Sequence, residues 1–420
     1  MSMTLTDHAD ALFARLEWPD ITMEAWRRTN LSQLLPKGCL DDLANQPVPE
    51  SAAVFPQSAD HLALLPHAYA ARVITENGIP MAMSQAASRD ILSIEWITLS
   101  KQPSPLEALG RAEMDASPDR ITAWHWQSFP GTLLIKLRGN TGIDKPIIIE
   151  ERLTQRGNPI SSSPPYSAAH LHVQVEGNAS LNVIWSIEGA AEGESAPLVN
   201  AGFTALIGSN ANLDFTLRQN LGARVNTFLH SRINVGRDAR LTFRESHLGS
   251  RVLKTRARVI LNAQGAQAQL KGIYVANENR HFDIATVQEH RSPGTTSDAI
   301  YKGAVKSGGR TVFQGLIEVS PHAAKTDAYL SNRNLILGDG ARADSLPQLN
   351  ILTDDVKCSH GSTSGKLDSI QLFYLQSRGY SPEEAARELI RGFIGEALTG
   401  ASDTVLEILH DDLERALNTA

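Results

Sequence analysis

The sequence predicts a mainly β protein, a solenoid of short stacked strands that opens and closes in helices. Three observations carry this: a small phrase that recurs through the middle of the chain, helical periodicity in the first forty or so residues, and cap-and-stripe patterns after Gly365. The phrase is an apolar residue, a turn residue, Ala, and a second apolar residue. It appears as Val175-Glu176-Gly177-Asn178-Ala179-Ser180-Leu181, as Ile207-Gly208-Ser209-Asn210-Ala211-Asn212-Leu213 and as Val235-Gly236-Arg237-Asp238-Ala239-Arg240-Leu241. Looser copies bring alanines at 266, 323 and 341, and the long interval from 266 to 323 is read as two turns. A solenoid tolerates loops of varied length and fixes only the corner and the inward residues. Gly or Asn at the corner supplies the backbone angles, and the small Ala lets coils stack closely. An antiparallel sandwich is the competing architecture, but two-residue turns such as Asn-Gly are rare here.

The elements follow in order. Leu5, Ala9, Leu12, Phe13 and Leu16 share a helical face, and Trp26, Leu31, Leu34 and Leu35 continue the helical opening. Pro47, Pro49, Pro56 and Pro66 interrupt it, and Pro103 and Pro105 precede another helix running through Met114. Residues 1–125 are therefore read as a helical and mixed region, 126–365 as the solenoid core and 366–420 as a C-terminal helical domain. In that last region Asp368 with Gln371 resembles a capping box, and Gly379 follows Arg378 as a helix stop. Ser381, Pro382 and Glu384 then give cap, first-turn proline and capping acid. Ala386, Leu389, Ile390, Phe393, Ile394, Ala397 and Leu398 form one apolar face, and a third helix starts at Ser402 with Leu406, Leu409, Leu413 and Leu417 inward.

At 420 residues the chain is long for a single core, and 42% hydrophobic against 20% charged residues describes a globular protein. A formal charge of -7 argues against general nucleic-acid binding. With only Cys39 and Cys358, neither a disulfide framework nor a four-thiolate metal site can be built from one subunit. No run approaches the ~20 apolar residues of a spanning helix. The first twenty residues carry Asp7, Asp10 and Glu17 without a basic leader, so a cytoplasmic location is expected.

Several motifs nearly match a known chemistry. His170, His172 and Glu176 form H-x-H-x3-E, but Pro164 and Val183 stand where a metal-binding barrel has glycines, and a solvated strand face is expected. Gly361-Ser362-Thr363-Ser364-Gly365 has Thr where a hydrolase elbow needs Ser, and Gly365-Lys366 is followed by Leu367, which no phosphate loop allows. What remains is Asp354-Asp355-Val356-Lys357-Cys358-Ser359-His360-Gly361. Cys358 and His360, two apart, project from one face of any strand. Thiolate and imidazole suit iron, zinc or an iron-sulfur cluster, yet two ligands cannot close a tetrahedral site, so a second chain would have to complete it. The bland alternative is a buried Cys358 beside a structural His360.

These residues resemble a known family, the SufB/SufD scaffold proteins of SUF iron-sulfur cluster assembly. The likeness runs through Lys325-Thr326-Asp327-Ala328-Tyr329, Ser331-Asn332-Arg333-Asn334-Leu335, Gly340-Ala341-Arg342-Ala343-Asp344, Pro347-Gln348-Leu349 and Asp354 to Gly361. Leu372-Phe373-Tyr374-Leu375 with Ser377-Arg378-Gly379 extends it, as do Glu289-His290-Arg291, Tyr301-Lys302-Gly303, Val312-Phe313-Gln314-Gly315 and, near the start, Glu24-Ala25-Trp26-Arg27-Arg28-Thr29. It is dense from about 270 to 398. SufB proteins carry a cysteine one step after a Leu-Glu pair, whereas here Leu349 is followed by Asn350 and Ile351, so the chain resembles the SufD branch. Asn350 stands where the family usually has Glu, and Leu330 where it usually has Gln.

The resemblance implies a right-handed parallel β-helix and a non-catalytic scaffold. It implies pairing with SufB through the β-helix, and binding of the SufC ATPase by the C-terminal helices, with Phe373, Tyr374, Leu375, Arg378, Gly379, Leu389, Ile390 and Phe393 as contacts. It allows a homodimer when the chain is alone. No cofactor is expected in the isolated chain; a transient iron or iron-sulfur cluster would form in the complex, with His360 and Cys358 as interface ligands. The alternative function from the fold alone is a solenoid enzyme acting on polysaccharide, which needs paired carboxylates on an exposed strand face.

Overall fold

The corners decide the architecture. In the computed structural model, which describes residues 4–45, 69–98, 104–154, 166–189 and 197–418, successive coils turn at a residue in the left-handed region: Asn140, Asn178, Asn210, Asp238, Gly265, Gly294 and Lys325, with φ between 54° and 72°. Asn, Asp and Gly tolerate that region best, which is why the phrase selects them. The asparagines also join coil to coil, Asn210 donating to Asn178 (3.2 Å) and Asn178 to Asn140 (2.9 Å). Ala179, Ala211, Ala239 and Ala266 are buried beside these corners. Thr295 fills the coil that the alanine spacing skips, Thr326 takes the next position, and Ala341 precedes a strand of the opposite sheet.

Each coil contributes one strand to each of two sheets. One sheet runs from Ile147–Arg152 through Ser180–Gly189, Asn212–Leu221, Arg240–His247, Gln267–Ala276, Thr296–Lys306 and Thr326–Leu337 to Val356–Gly365. The other runs from Gly131–Leu137 through His170–Val175, Leu198–Ile207, Asn226–Val235, Val252–Leu261, His281–His290 and Arg310–Val319 to Arg342–Ile351. All these ladders are parallel, which rules out the sandwich and gives a β-solenoid of about six turns. Antiparallel strands cover the beginning of the stack: Ala71–Glu76 with Ile79–Gln85 on one sheet, and Leu92–Thr98 on the other. The N-terminal region thus supplies three strands to the sheets in addition to its helices.

Inward side chains form continuous columns. Phe203 stacks on Phe215 at 3.8 Å between ring centroids, and Phe215 on Phe243 at 5.8 Å, each pair adding about 0.5–1.5 kcal/mol beyond area burial. Helices cover the outer faces. We label them α1 (Leu5–Arg15), α2 (Leu31–Leu34), α3 (Cys39–Ala44), α4 (Ser104–Ala116), α5 (Arg120–Ser128), α6 (Ser369–Ser377), α7 (Pro382–Gly395) and α8 (Asp403–Asn418). The stretch 46–68, including its prolines, lies outside the described residues, as do Pro103 and Pro164. The Trp26 motif docks on the second sheet: Trp26 packs on Phe228, Lys254 Nζ donates to the Ala25 carbonyl (2.6 Å), and Thr29 Oγ1 donates to Asp283 (2.5 Å).

At the other end α7 and α8 lie on the first sheet. Ile390, Ile394, Leu398, Leu409 and Leu413 share a cluster with Ile273, Val275 and Ala304 of the solenoid. The capping box at Ser381 and Glu384 is present, and Asp368 caps α6 by accepting from the amides of Ile370 and Gln371. The C-terminal helices therefore complete their core with the sheet they cover.

Candidate functional site

The last strand of each sheet, Val356–Gly365 and Arg342–Ile351, has a ladder partner on one side only. The solenoid ends there with its cross-section open. Because side chains alternate, Cys358, His360, Ser362 and Ser364 continue the inward columns of Ala328, Leu330, Asn332 and Asn334, which are all buried. His360 is exposed and Cys358 half-buried. Sequence spacing placed the two on one face, and the fold turns that face into the end of the core.

Chemically the open end has two halves. Cys358 and His360 sit beside Ala328 and Leu330, an apolar floor. Burial, with the nearby Asp327 carboxylate, pushes the Cys358 thiol above its ordinary value, so the neutral thiol is favoured in the lone chain. Ser362 and Ser364 sit beside Asn332 and Asn334, whose amides are engaged by each other and by Tyr274. Among the described residues no group of three or more His, Cys, Asp or Glu side chains is arranged to hold a metal ion.

The expected partner contacts divide. On α6, which buries no residue, Ile370, Phe373 and Tyr374 are 77%, 71% and 55% exposed and form one stripe at i, i+3 and i+4. Arg378 lies 5.2 Å from the Tyr374 ring and Gly379 takes the left-handed turn; Leu375 is half-buried. On α7, by contrast, Ile390 is buried in the shared cluster, Phe393 packs against it with Lys302 Nζ 4.4 Å from its ring, and Leu389 is half-buried. Ile390 and Phe393 are thus held by the chain's own sheet.

The solvated face expected for His170 and His172 is wrong. Both are buried, because α5 covers that side of the sheet and the apolar columns of Leu171 and Val173 line the other. A linked set of imidazoles results. His125 Nδ1 meets the Asn200 carbonyl at 2.9 Å, and His125 Nε2 meets His170 Nδ1 at 2.8 Å. Thr204 Oγ1 lies 3.0 Å from His170 Nε2 and 2.9 Å from His172 Nδ1. A carbonyl only accepts, so His125 Nδ1 carries hydrogen and its Nε2 accepts from His170. His170 Nε2 then accepts from Thr204, and Thr204 accepts from His172. One direction runs through the set, which requires His125 and His170 to be neutral, since each must accept at Nε2. Burial supplies that condition, holding His125 and His172 at about 4 and His170 well below its ordinary value. The H-x-H pair was the visible signal; its partner His125 lies on a helix distant in sequence.

Fold and open end together define a parallel β-solenoid with one uncovered end, and the family description "SUF system FeS cluster assembly, SufBD core domain" matches residues 158–393. The chain belongs to the SufB/SufD family. Within it the likeness runs to SufD: the iron-sulfur cluster assembly protein SufD of Escherichia coli is 34% identical over 207 residues, 49% of each chain. An iron-sulfur cluster assembly SufBD family protein of Mycobacterium leprae is 39% identical over 173 residues, 39% of this chain and 44% of that one. One from Mycobacterium tuberculosis is 28% identical over 201 residues, 48% of this chain and 24% of the other. The chain spans about half the length of the first two. Among the described residues no helix is long and apolar enough to cross a membrane.

Proposed function

We propose that this chain is a non-catalytic scaffold subunit of iron-sulfur cluster assembly, pairing with SufB at the open end of its solenoid and with the SufC ATPase at α6. One observation carries the reading: His360 stands exposed at an unpaired edge, within the segment that matches the family. An edge with free backbone groups and core side chains laid open calls for a covering chain. The imidazole there supplies one ligand to iron or to a nascent cluster, and the SufB thiolate supplies another. Cys358 is the second candidate ligand of this chain, acting once metal displaces its proton. The site would lie in the cytoplasm with the rest of the assembly machinery.

Polysaccharide chemistry is not favoured. Several carboxylates on the sheet faces are tied to cations: Glu150 to Arg72 and Arg152, Asp214 to Arg244, Glu289 to Arg258 and Arg291, and Asp344 to Arg310 and Arg342. A glycosidase pair needs one carboxyl free to hold a proton and the other free to face the sugar.

Co-expression with the two partners, followed by sizing and by iron and sulfide analysis, tests the proposal. The expected outcome is one assembly of all three chains, while the chain alone binds no stoichiometric cluster and hydrolyses no ATP. His360→Ala should leave the assembly intact and reduce cluster yield; an unaltered yield removes His360 from the mechanism.

A further inference from the structure

Two tyrosines in the core lean in opposite directions, and one of them reaches the floor of the open end. Tyr274, Gly303, Asn334 and Ser364 occupy one inward column, and Gly272, Tyr301, Asn332 and Ser362 the column beside it. Each ring lies over the glycine of a neighbouring coil: a Cβ at Gly303 would collide with the Tyr274 ring, and one at Gly272 with the Tyr301 ring. Tyr301 points back, its hydroxyl donating to Glu245 at 2.6 Å. Tyr274 points forward across Gly303 and donates to Asn334 Oδ1 at 2.6 Å, two coils along. Asn334 Nδ2 donates to Asn332 Oδ1 (2.9 Å), and Asn332 Nδ2 donates back to the Tyr274 hydroxyl (2.8 Å). The three hydrogen bonds close a ring in which the phenol donates once and accepts once. All three side chains are buried, and burial holds the Tyr274 hydroxyl above its usual range, so it stays a neutral donor.

We infer that Tyr274 is a positioning residue for docking at the open end: it occupies both asparagine amides and so leaves Ser362, Ser364 and the free edge that carries them clear for the covering chain. Asn332 and Asn334 are the ladder partners of those serines, one strand spacing of about 4.8 Å away. Without the phenol, Asn334 Oδ1 loses its donor, and a buried amide left unpaired is costly. The serine hydroxyls in the same two columns are the next donors within reach, and the amides engage them by turning toward the open end. A docking chain then has to break those contacts before it can close on the edge. This inference rests on the reading of the open end as the edge that SufB covers.

The test uses the full chain and immobilised SufB, with affinity measured by biolayer interferometry well below the unfolding temperature. Tyr274→Phe should weaken binding about ten-fold, the effect of one unpaired buried group. Replacing the amides as well, in Tyr274→Phe/Asn332→Leu/Asn334→Leu, should restore binding to within about three-fold of the parent, because no orphaned amide remains. Loss of packing alone is not rescued in this way. Tyr301→Phe is the control: it removes the phenol that points away, and affinity should stay within about two-fold. Should Tyr274→Phe fail to fold, Asn334→Leu asks the same question, since it deprives Asn332 Oδ1 of its donor, and it too should weaken binding. The role of Tyr274 is overturned if Tyr274→Phe, or Asn334→Leu in its place, binds SufB like the parent, if Tyr301→Phe weakens binding as much, or if the triple variant gives no rescue. Ser362→Lys tests the edge itself, because a lysine on an exposed edge blocks pairing: SufB binding that survives it removes the docking reading and this inference together.

Discussion

Arg218 and Asp412, 194 residues apart, form a buried bidentate pair that fastens α8 to the solenoid. The Asp412 carboxylate, fully shielded, also accepts from Asn220 Nδ2 (2.9 Å) and Arg415 (2.8 Å), and Arg218 reaches Glu188 at 2.8 Å. A buried pair adds little over a well-packed apolar pair, but removing one partner strands the other charge.

Asp412→Ala should cost up to about 3 kcal/mol, because Arg218 loses its bidentate partner and keeps only Glu188. The loss should be concentrated at α8, because that helix is otherwise held by the apolar residues Val405, Leu409, Leu413 and Leu417 and by a few exposed or half-buried polar contacts, such as Lys306 to the Leu417 carbonyl and Arg387 to Asn418. Hydrogen exchange checks this: amides of α8 should lose protection before those of the inner strands. Uniform loss across the chain would show that Asp412 supports the whole fold.

Phe373→Asp should separate docking from stability. The side chain is 71% exposed on a helix that buries nothing, so stability should change by no more than about 0.5 kcal/mol. Binding of the ATPase partner should be lost, as measured by co-purification. Ile390→Asp makes the contrast, because its burial against Ile273 and Val275 predicts loss of folded protein instead. ATPase binding that survives Phe373→Asp would move the contact away from α6.

How much of this was legible in the sequence depends on range. The corners were, because a left-handed residue followed by a buried small one is a local requirement, repeated in each coil. So were the helix caps and the Cys358/His360 pair, set by neighbours within four residues. The Arg218–Asp412 pair and the His125–His170 contact were not, because each joins a strand to a helix from a different covering layer. The same cause misled the reading of His170 and His172: alternation predicts one wet face only when a sheet is bare on one side, and here helices cover it. Ile390 and Phe393 stood on a genuine apolar stripe; only the fold reveals that the solenoid itself occupies that stripe.

Lys325→Asn should stabilise the protein. Lys325 is the one lysine in the ladder of left-handed corners, at φ 61°, where preceding coils carry Asn, Asp or Gly. Its amide donates to the Asp355 carbonyl at 2.6 Å, so the geometry is imposed by the next coil. Asn adopts the same angles with less steric conflict, and a gain of up to about 1 kcal/mol is expected in denaturant titration. A loss would assign the Lys325 side chain a contact that outweighs the strain.

The imidazole set predicts an acid-sensitive N-terminal layer. His125, His170, His172 and His230 are held below the ordinary imidazole value of 6.5, chiefly by burial. The unfolded chain therefore binds more protons than the folded one between 6.5 and about 4, and stability falls as pH falls through that window. Glu113, whose carboxyl burial raises to about 7, acts in the opposite sense from 4.5 upward, and the cations Arg232 and Arg256 beside it temper that rise. Glu151, also raised by burial, acts in the same sense as Glu113, and four imidazoles against these two carboxyls leave a net loss in acid. Protonating His170 at Nε2 removes the acceptor for Thr204, and protonating His125 at Nε2 removes the acceptor for His170, so neither ring can take a proton without breaking the set. Gly202 adds a structural control, since a Cβ there would collide with His125 Nε2 and His170 Nδ1. Exchange of the α5 amides should accelerate between pH 6.5 and 4.5 relative to those of the inner strands, and Gly202→Ala should reproduce that acceleration at pH 7.5. Equal protection of α5 across the whole range would mean that the imidazoles do not hold the layer in place.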